Sequence, residues 1–432
     1  MRILWFTNTP SCYKVGTNIY NGGGWISSVE AEMKKRKDVL LAVSFLLNNQ
    51  PWRIESCSVT YYPMTTYGRL KISKLWDVIR PMSGFCGHLG NGSFYRESEH
   101  VLAQMKRVIT DYKPDIIQIF GSEGPFGLIA TEVTVPVVLH LQGLLNPCLN
   151  AYFVPGMSFG KYLLSDLNPL YILQRLYDWR IGQYRAAREK EIIRRISHYI
   201  GRTEWDMRCI EVMHPGAKYH YGGEVLRENF YESVERRIPD RLVIITTISS
   251  PMYKGLDIAL KTARILKKCL NMDFEWRMYG NINPQVVESA IGIKHSDVNI
   301  SFCGVVSARQ LGDALTHATV YVHTSYIENS PNSVCEAQMI GLPVVVTHVG
   351  GTYSLIKEGI TGFSVPANDP YQMAYIIRYL YIHKDENVRI GMNAREDAVG
   401  RHDKDTIVGG LLDIYKSIME KRSNSYGGKC DG

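Results

Sequence analysis

The sequence predicts an α/β protein with two parallel-sheet domains in series. Its 432 residues exceed what a single hydrophobic core organises, so two domains are expected. Short β-branched or aromatic runs alternate with helical stretches in both halves, which favours parallel sheets covered by helices on both faces. Between residues 214 and 240 the aliphatic content drops, and Gly, Tyr and charged residues dominate. That composition marks a linker between the two domains.

The predicted elements follow this division. In the N-terminal domain, residues 1–213, strands are predicted over 3–6, 39–45, 116–120, 135–140 and 198–201, with helices over 24–37 and 97–112. In the C-terminal domain, residues 241–400, strands are predicted over 242–247, 274–279, 298–302, 319–323 and 343–347, with helices over 256–270, 308–316, 331–340 and 370–381. Two further helices are predicted over 386–399 and 405–418, and residues 423–432 are expected to be a disordered tail. We expect the terminal segment, 401–432, to pack back on the N-terminal domain.

Composition excludes several protein classes. Hydrophobic residues make up 45% and charged residues 21% of the chain, as in ordinary soluble proteins. The N-terminus reads as a short strand rather than a signal peptide, and we find no run of about 18 apolar residues that could span a bilayer. We therefore expect a cytoplasmic protein, either free or peripheral at the inner face of the membrane.

The cysteines and the charged residues also limit the possible functions. Nine cysteines are scattered without a C-x-x-C pair, so we predict neither a metal site nor a disulfide framework. The net charge of +7 comes from dispersed basic residues, and no basic patch interleaved with aromatic residues predicts nucleic-acid binding.

Two carboxylates stand at the ends of one segment between a predicted strand and a predicted helix. Glu328 lies in the loop, and Glu336 lies about two turns into the helix. The backbone N–H groups of Asn332, Ser333 and Val334 would be free at the helix N-terminus, which is a natural phosphate site. Carboxylates accept hydrogen bonds from sugar hydroxyls and support a developing cation, so the pair suits a sugar joined to a diphosphate. On spacing alone, a solvated loop acid followed by a helix-surface acid is an equal alternative.

Three other positions point to the same kind of ligand. His140 ends a predicted strand, where parallel sheets bind ligands, although a hydrogen bond to a neighbouring loop would also explain it. Lys254 precedes a predicted helix and could neutralise a diphosphate; the alternative is an exposed lysine, which would oppose the helix dipole. Gly23 and Gly24, and Gly350 with its neighbour Gly351, allow close backbone approach to a ligand, a weak signal because turns also use glycine.

Residues 171–200 carry seven basic and three acidic residues with interspersed apolar ones. This pattern fits an amphipathic helix that touches anionic lipid headgroups. It also fits a long helix packed on the sheet with a solvated charged face. Both interpretations stay open on the sequence.

Together these residues resemble glycosyltransferase family 4, whose members are retaining enzymes of the GT-B fold that use nucleotide-sugar donors. The resemblance is strongest over residues 242–402. It is carried by Tyr253-Lys-Gly-Leu-Asp257, the Glu328…Glu336 pair, Glu336-Ala-Gln-Met-Ile-Gly-Leu-Pro343, Gly350-Gly351 and Glu358-Gly-Ile-Thr-Gly-Phe363. The N-terminal half matches more loosely, through Gly22–Gly24, His140 and Gly201-Arg-Thr-Glu-Trp205. The resemblance implies two Rossmann-like domains that face each other across a cleft.

The resemblance also implies a role for each matching residue. Catalytic roles fall to His140 at the donor sugar, Lys254 at the leaving diphosphate and Glu328 at the hydroxyls of the transferred sugar. Glu336 is expected to hold the ribose. The other implied donor-binding positions are Gly23, Gly24, Ser249, Ser250, Tyr279, Gly304, Asn332, Ser333 and Val334. The family usually places an Arg shortly before its Lys, whereas this chain has Thr246-Thr-Ile-Ser-Ser-Pro251 there.

The expected function is transfer of a sugar from a nucleotide-diphosphate donor to a saccharide or lipid-linked acceptor, in the synthesis of a surface polysaccharide or glycolipid. No metal is required, since lysine and helix dipoles can neutralise the diphosphate. Two alternatives remain: a GT-B epimerase or phosphorylase, and a catalytically silent nucleotide-sugar-binding or scaffold protein. Product analysis with and without acceptor separates the epimerase or phosphorylase from a transferase. Binding of a nucleotide sugar without turnover would favour the silent protein.

Overall fold

The computed structural model describes residues 1–13, 24–67, 93–232 and 235–427. Within these residues the chain forms two sheets, one of eight strands and one of six, each flanked by helices. All neighbouring strands are parallel except one pair at an edge of the first sheet. The predicted fold class, two parallel-sheet α/β domains in series, is therefore confirmed.

The N-terminal sheet has the strand order β3-β4-β2-β1-β5-β6-β7-β8. Its strands are β1 (Arg2–Phe6), β2 (Leu40–Leu46), β3 (Ile54–Ser56), β4 (Val59–Met64), β5 (Ile116–Phe120), β6 (Val137–His140), β7 (His198–Gly201) and β8 (Lys218–Tyr221). The two faces of β1 enter different cores: Ile3 and Trp5 on one side, Leu4 and Phe6 on the other. Burial of both faces explains why this strand is a continuous apolar run rather than an alternating one.

Six helices connect or follow these strands among the described residues. They are α1 (Gly24–Met33), α2 (Ser93–Tyr112), α3 (Leu145–Asn150), α4 (Phe159–Leu163), α5 (Pro169–Arg195) and α6 (Glu204–Met213). The last begins with a reciprocal cap, in which Thr203 accepts from the Asp206 amide and the Asp206 carboxylate accepts from the Thr203 amide.

The C-terminal sheet has the order β11-β10-β9-β12-β13-β14. Its strands are β9 (Leu242–Thr247), β10 (Phe274–Tyr279), β11 (Ile300–Gly304), β12 (Val320–His323), β13 (Val344–Thr347) and β14 (Phe363–Val365). The helices are α7 (Leu256–Lys268), α8 (Gln285–Ile291), α9 (Ala308–Thr316), α10 (Asn332–Met339), α11 (Pro370–Ile382) and α12 (Lys384–Arg401). Strand order reverses between β9 and β12, the point at which such sheets bind ligands.

The final helix, α13 (Lys404–Gly427), belongs spatially to the N-terminal domain. Its apolar residues Val408, Leu411 and Tyr415 lie in the same core as Ile3 and Trp5 of β1. The chain therefore crosses from the second domain back to the first. The helix continues through Ser423–Gly427, which corrects the expectation of a disordered tail from 423 onward; residues 428–432 lie outside the described part.

The structure also corrects the predicted domain boundary. Strand β8 lies inside the predicted linker, yet it pairs with β7 and forms the edge of the N-terminal sheet. The sequence Lys218-Tyr-His-Tyr221 lacks aliphatic residues because the strand is only partly buried, and that hid it from pattern analysis. The N-terminal sheet thus extends to Tyr221.

Among the described helices, none combines the length and the apolar character that crossing a membrane requires.

Candidate functional site

The carboxyl edge of the C-terminal sheet gathers most of the predicted residues. Tyr279 at the end of β10 pairs with Thr247 of β9 on one side and with Gly304 of β11 on the other. Ser249 and Ser250 follow β9 directly, and Ser249 is exposed. Parallel pairing therefore places Tyr279 and Gly304 side by side at this edge, and Ser249 and Ser250 follow the neighbouring strand at the same edge.

Lys254 is fixed by a tight turn at the start of α7. The next residue, Gly255, has a φ of 74°, and a Cβ there would lie 1.9 Å from the carbonyl oxygen of Thr324. Only glycine fits this position. The Thr324 hydroxyl donates to the Lys254 carbonyl at 2.8 Å. The lysine is thereby held against the loop that follows β12 and leads to Glu328.

The Lys254 ammonium and the Glu328 carboxylate form an ion pair. His323, the last residue of β12, lies beside them, with its Nε2 at 3.7 Å from the Glu328 carboxylate. Burial opposes ionisation of Glu328, but the charges of Lys254 and His323 outweigh it and hold the pKa of this carboxyl below its usual range. Burial also opposes the charge of Lys254, yet Glu328 raises the pKa of the ammonium. Both groups are charged near neutral pH.

The loop after β13 holds the backbone of Glu328 in place. Gly350 has a φ of 53°, and a Cβ there would lie 1.8 Å from the Glu328 carbonyl oxygen. The Gly351 amide donates to the same carbonyl at 2.9 Å. The glycine pair predicted to line the cleft therefore packs on the backbone of the acidic residue.

Glu336 has a different partner. Arg227, from the segment between the domains, binds it through two hydrogen bonds of 2.8 and 2.7 Å. Burial raises the pKa of the Glu336 carboxyl, although the arginine opposes that shift. The same arginine stacks over Phe230, at 5.0 Å from the ring centroid, and a Cβ at Gly24 would lie 2.9 Å from its Cδ. Arg227 thus links α10 to the start of α1.

The start of α10 corrects one prediction. The Val334 amide donates to the carbonyl of Pro331 at 3.0 Å, and the Val334 side chain is fully buried. It therefore has no free N–H to offer a phosphate. Asn332 and Ser333 are half-buried at the first turn, and the Ser333 hydroxyl bonds to Tyr321. Of the three predicted amides, only the first two remain candidates.

Asn329, next to Glu328, joins the two domains. Its side-chain oxygen accepts from the Thr203 hydroxyl at 2.7 Å, and its side-chain nitrogen donates to Asp206 at 2.9 Å. These partners form the cap of α6 in the N-terminal domain, and all three side chains are buried. A fully paired buried polar contact is specific, because leaving any member unpaired is costly. The interface therefore fixes the loop that carries Glu328.

His140 lies at the end of β6, as predicted, and is completely buried. Its ring packs between Trp25 and Phe120, with centroid separations of 5.0 and 5.5 Å. Burial, with the nearby Arg202 cation, keeps the pKa of the imidazole well below its usual value. Gly24, at the start of α1, lies one residue from Trp25, whereas Gly23 lies outside the described residues.

Three residues near the interface resemble a metal site in composition. Glu224, Cys335 and His402 place ligand-type atoms within 4.8 Å of one another. However, Glu224 forms an ion pair with Arg202 and accepts from Ser330 at 3.0 Å. The neighbouring guanidinium disfavours a second cation there. We interpret this cluster as part of the domain interface.

Pattern analysis missed Arg227, Asn329 and Arg202 as members of the site. Arg227 stands in a segment that was treated as a linker, and nothing in its neighbours marks it. Asn329 lies inside the Glu328–Glu336 motif, but its partners are 123 and 126 residues away in sequence. Arg202 belongs to a segment already noted, Gly201-Arg-Thr-Glu-Trp205, where it was given no role. Of the three, only Arg202 lay in a sequence motif from which it could have been predicted.

Comparisons with known proteins find similarity in both sequence and fold. Residues 239–383 match the family described as Glycosyl transferases group 1. The chain is similar to D-inositol 3-phosphate glycosyltransferase from Streptomyces avermitilis, with 31% identity over 140 residues, which are 32% of this chain and 28% of that relative. The chain thus spans less than a third of the length of this curated relative.

Solved structures cover nearly the whole chain. Sucrose-phosphate synthase from Thermosynechococcus elongatus superimposes with a TM-score of 0.72 at 14% identity, covering 98% of this chain and 100% of that one. Anabaena Alr3699/HepE, solved in complex with UDP-glucose, gives a TM-score of 0.64 at 16% identity, covering 96% and 100%. These similarities establish the GT-B fold for the two domains, and the match to the Glycosyl transferases group 1 family is limited to residues 239–383.

Proposed function

We propose that the protein is a retaining glycosyltransferase that moves a sugar from a nucleotide-diphosphate donor to a saccharide or lipid-linked acceptor. The carrying observation is the Lys254–Glu328 ion pair at the switch point of the C-terminal sheet, beside the start of α10. A cation for a diphosphate and an ionised carboxylate for a sugar stand next to each other there. The UDP-glucose bound by the Anabaena neighbour supports a donor of this class.

The pair can serve both halves of the reaction. A lysine ammonium has three N–H donors, so Lys254 can keep Glu328 and still donate to a phosphate oxygen. As the bond between the sugar C1 and the diphosphate breaks, its electron pair goes to the phosphate oxygen, where the lysine stabilises the charge. The acceptor hydroxyl oxygen bonds to C1, and its proton passes to the departing diphosphate. Glu328 holds the sugar hydroxyls and supports the cationic character at C1.

The proposal includes catalysis without a metal ion, because Lys254 and the amides of Asn332 and Ser333 would neutralise the diphosphate. Turnover in EDTA, followed by addition of Mg²⁺ or Mn²⁺, tests this part. We expect equal rates in all three conditions. Loss of turnover in EDTA that Mg²⁺ restores would contradict it.

The acceptor would enter from the side of residues 144–163, which cross from the N-terminal domain to the second one. Val154, Met157 and Tyr162 of this segment join the core that contains Met252 of the C-terminal domain. Burial, with a further contribution from the Glu328 charge, raises the pKa of the Cys148 thiol to about 12. The influence of the Glu328 and Lys254 charges on this thiol indicates that α3 lies near the ion pair, which is why we propose this side for the acceptor.

The proposal also includes a peripheral membrane contact beside this segment. The second half of α5 is packed on the domain, with Ile192 and Ile193 fully buried, so the charged stretch at 171–200 is largely a structural helix. The first turns of α5 and the residues just before it are different. Five large apolar side chains are exposed within ten residues: Leu164, Leu167, Leu170, Tyr171 and Leu173. Lys161 and Arg175 flank them, a composition suited to an anionic bilayer surface.

Co-sedimentation with phosphatidylcholine vesicles, with and without phosphatidylglycerol, tests the membrane contact. We expect binding that requires the anionic lipid and is lost in the double variant Leu167→Ser/Leu170→Ser. The double variant Tyr371→Ser/Tyr375→Ser, at exposed positions on α11, is the matched control and should bind as the wild type does. If both double variants bind the vesicles as tightly as the wild type, the exposed leucines at the start of α5 do not form a membrane contact.

A thermal-shift panel tests the proposed function first. UDP, UDP-glucose, GDP-mannose and ADP-glucose are added in turn, and a donor should raise the melting temperature by mass action. The stabilising donor is then incubated with saccharide and lipid-linked acceptors, and products are analysed for linkage and anomeric configuration. Stabilisation without turnover on any acceptor would favour a silent binding protein, and product formed without acceptor would favour an epimerase.

A further inference from the structure

A chain of hydrogen bonds runs from the C-terminal helix to His140 through the core of the N-terminal domain. Trp5 Nε1 donates to the Tyr415 hydroxyl at 3.3 Å, and that hydroxyl donates to the side-chain oxygen of Gln118. The side-chain nitrogen of Gln118 lies 3.2 Å from His140 Nδ1. All four side chains are buried, so water does not compete for these contacts.

The proton positions along this chain follow from the donors available. An indole N–H can only donate, so the Tyr415 oxygen accepts from Trp5 and directs its own proton to Gln118. The Gln118 oxygen is thereby used as an acceptor, and its amide nitrogen, which can only donate, faces His140. Turning the amide round would leave the Tyr415 proton buried without an acceptor, which is unfavourable. His140 Nδ1 therefore accepts a hydrogen bond.

The other ring nitrogen must then carry the proton. A neutral imidazole has one N–H and one lone pair, so a lone pair at Nδ1 places the hydrogen on Nε2. The groups around the ring are the Phe120 ring, which stacks on it, the Trp25 ring, which meets it edge to face, the Gln118 amide and the Arg202 guanidinium. Burial and that cation both favour the neutral ring. Among the described residues, His140 Nε2 is buried and has no hydrogen-bond partner.

We propose that Tyr415 and Gln118 are positioning residues that fix His140 as the Nε2–H tautomer, so that it donates a hydrogen bond to an oxygen of the bound donor sugar. The inference rests on the proposed function only for the identity of that oxygen. It assigns His140 the role of a donor rather than a general base. It also gives α13 a role in the site, because Tyr415 of that helix holds Gln118, which lies 297 residues earlier in the sequence.

Nitrogen NMR on protein labelled with ¹⁵N-histidine tests the tautomer without any substrate. In the wild type near pH 7.5, we expect a protonated Nε2 and an unprotonated Nδ1 for His140, assigned from the signals lost in His140→Ala. Gln118→Glu should move the proton to Nδ1, because a carboxylate accepts instead of donating. Tyr415→Phe should give a mixture, since the Gln118 amide is then free to rotate. Tyr199→Phe, which removes a buried hydroxyl bonded to backbone carbonyls, is the matched control and should leave the His140 signals unchanged.

Turnover with the donor found by the panel supplies a second readout. We expect kcat to fall about 100-fold in Gln118→Glu, the range for loss of one hydrogen-bond donor in the transition state, and roughly tenfold in Tyr415→Phe, where only part of the population loses that donor. Adding Tyr415→Phe to His140→Ala should cause no further loss, because the tyrosine acts through the histidine.

The two measurements separate this inference from the proposed function. A wild-type His140 protonated at Nδ1 would overturn the inference, whatever the activity, and so would an unchanged tautomer in Gln118→Glu. An inactive wild type with the Nε2–H tautomer would instead refute the proposed function and leave the tautomer standing. If either variant does not fold, the wild-type spectrum alone still decides.

Discussion

Glu328 and Glu336 stand at the two ends of one motif, and each is paired with a cation, yet their environments differ. Glu328 has Lys254, His323 and the Asn329 amide as neighbours, which hold its pKa below the usual range despite burial. Glu336 is more deeply buried and has one arginine partner, so burial prevails and its pKa is raised. The first carboxylate is held ionised by its surroundings, whereas the second depends on a single contact.

The origin of each cation sharpens the contrast. Lys254 comes from the same domain as Glu328 and is fixed by the turn at Gly255. Arg227 comes from the segment between the domains and also contacts the start of α1. The Glu328 ion pair therefore lies within one domain, whereas the Glu336 ion pair depends on how the two domains are arranged. We infer that Glu328 serves the reacting sugar and that Glu336 serves donor binding.

The largest effect should come from Lys254→Met. Removing the cation that we propose to stabilise the leaving diphosphate should lower kcat/KM by about 10²–10³-fold, the range for loss of one oxyanion-stabilising group. Steady-state kinetics with the identified donor provide the measurement. Lys261→Met, on the helix α7 that follows Lys254 and also paired with a carboxylate, is the matched control and should change kcat/KM little. Similar losses in both variants would mean that Lys254 has no special role.

The Arg227 contact should affect donor affinity and stability rather than chemistry. In Arg227→Met, Glu336 is left buried without its partner, so the donor KM should rise by about tenfold and stability should fall by about 1–3 kcal/mol. A carboxylate with a raised folded pKa stabilises most when protonated, so the stability deficit should grow as pH rises from 5 to 8. Arg241→Met, which removes an exposed pair with Asp273, is the control. A pH-independent deficit would contradict the assignment.

Asn329→Ala tests the contact that joins the Glu328 loop to the N-terminal domain. The substitution removes one buried hydrogen bond from the Thr203 hydroxyl and one from the Asp206 carboxylate, which keep only their contacts within the N-terminal domain, so we expect a loss of about 2 kcal/mol from the free energy of unfolding. Small-angle scattering should also show a larger radius of gyration, because the domains separate more readily. Asn393→Ala, at a half-buried position on α12 far from this contact in sequence, is the control. Unchanged melting and scattering would show that this contact does not hold the domains.

The last effect is confined to acidic pH and is absent near neutrality; it concerns His323, which adjoins Glu328 but not Glu336. Burial, partly offset by the Glu328 charge, lowers the pKa of His323 to about 4. The folded protein therefore binds fewer protons at this site than the unfolded chain between pH 6.5 and 4, and the site loses stability on acidification. In the wild type this site should cost about 1.4 kcal/mol of stability for each pH unit between 6.5 and 4, and His323→Asn should abolish that dependence. His317→Gln, at an exposed position, should leave the pH dependence unchanged.

Local patterns predict the parts of this molecule that depend on neighbouring residues. Buried strands such as Ile116–Phe120 and glycine turns such as Gly255 are visible in the sequence because they need particular residue types in order. The strand order then brings Tyr279 and Gly304 together without further information. Local patterns do not reveal that the Val334 amide is already used, since this depends on the geometry of one turn.

Partners that are distant in sequence cannot be predicted in this way. Tyr415 reaches Gln118 only because α13 returns to the first domain, and nothing in its own helix marks that contact. Arg227 meets Glu336 because the segment between the domains runs past α10, which its own sequence does not show either. The weakly apolar strand Lys218–Tyr221 escaped notice because its burial is partial. What pattern analysis lacks here is the arrangement of the two domains.

Kinetics of Glu328→Gln and Glu336→Gln, measured side by side with the identified donor, test the central claim most directly. Both variants keep the shape of the side chain and remove its charge. We predict that Glu328→Gln lowers kcat by about 100-fold with little change in donor KM, because its charge acts mainly in the transition state. Glu336→Gln should raise donor KM by about tenfold and leave kcat within a few-fold of the wild type. Equal changes in kcat and KM for the two variants, or the reverse pattern, would contradict the unequal roles assigned to the two carboxylates.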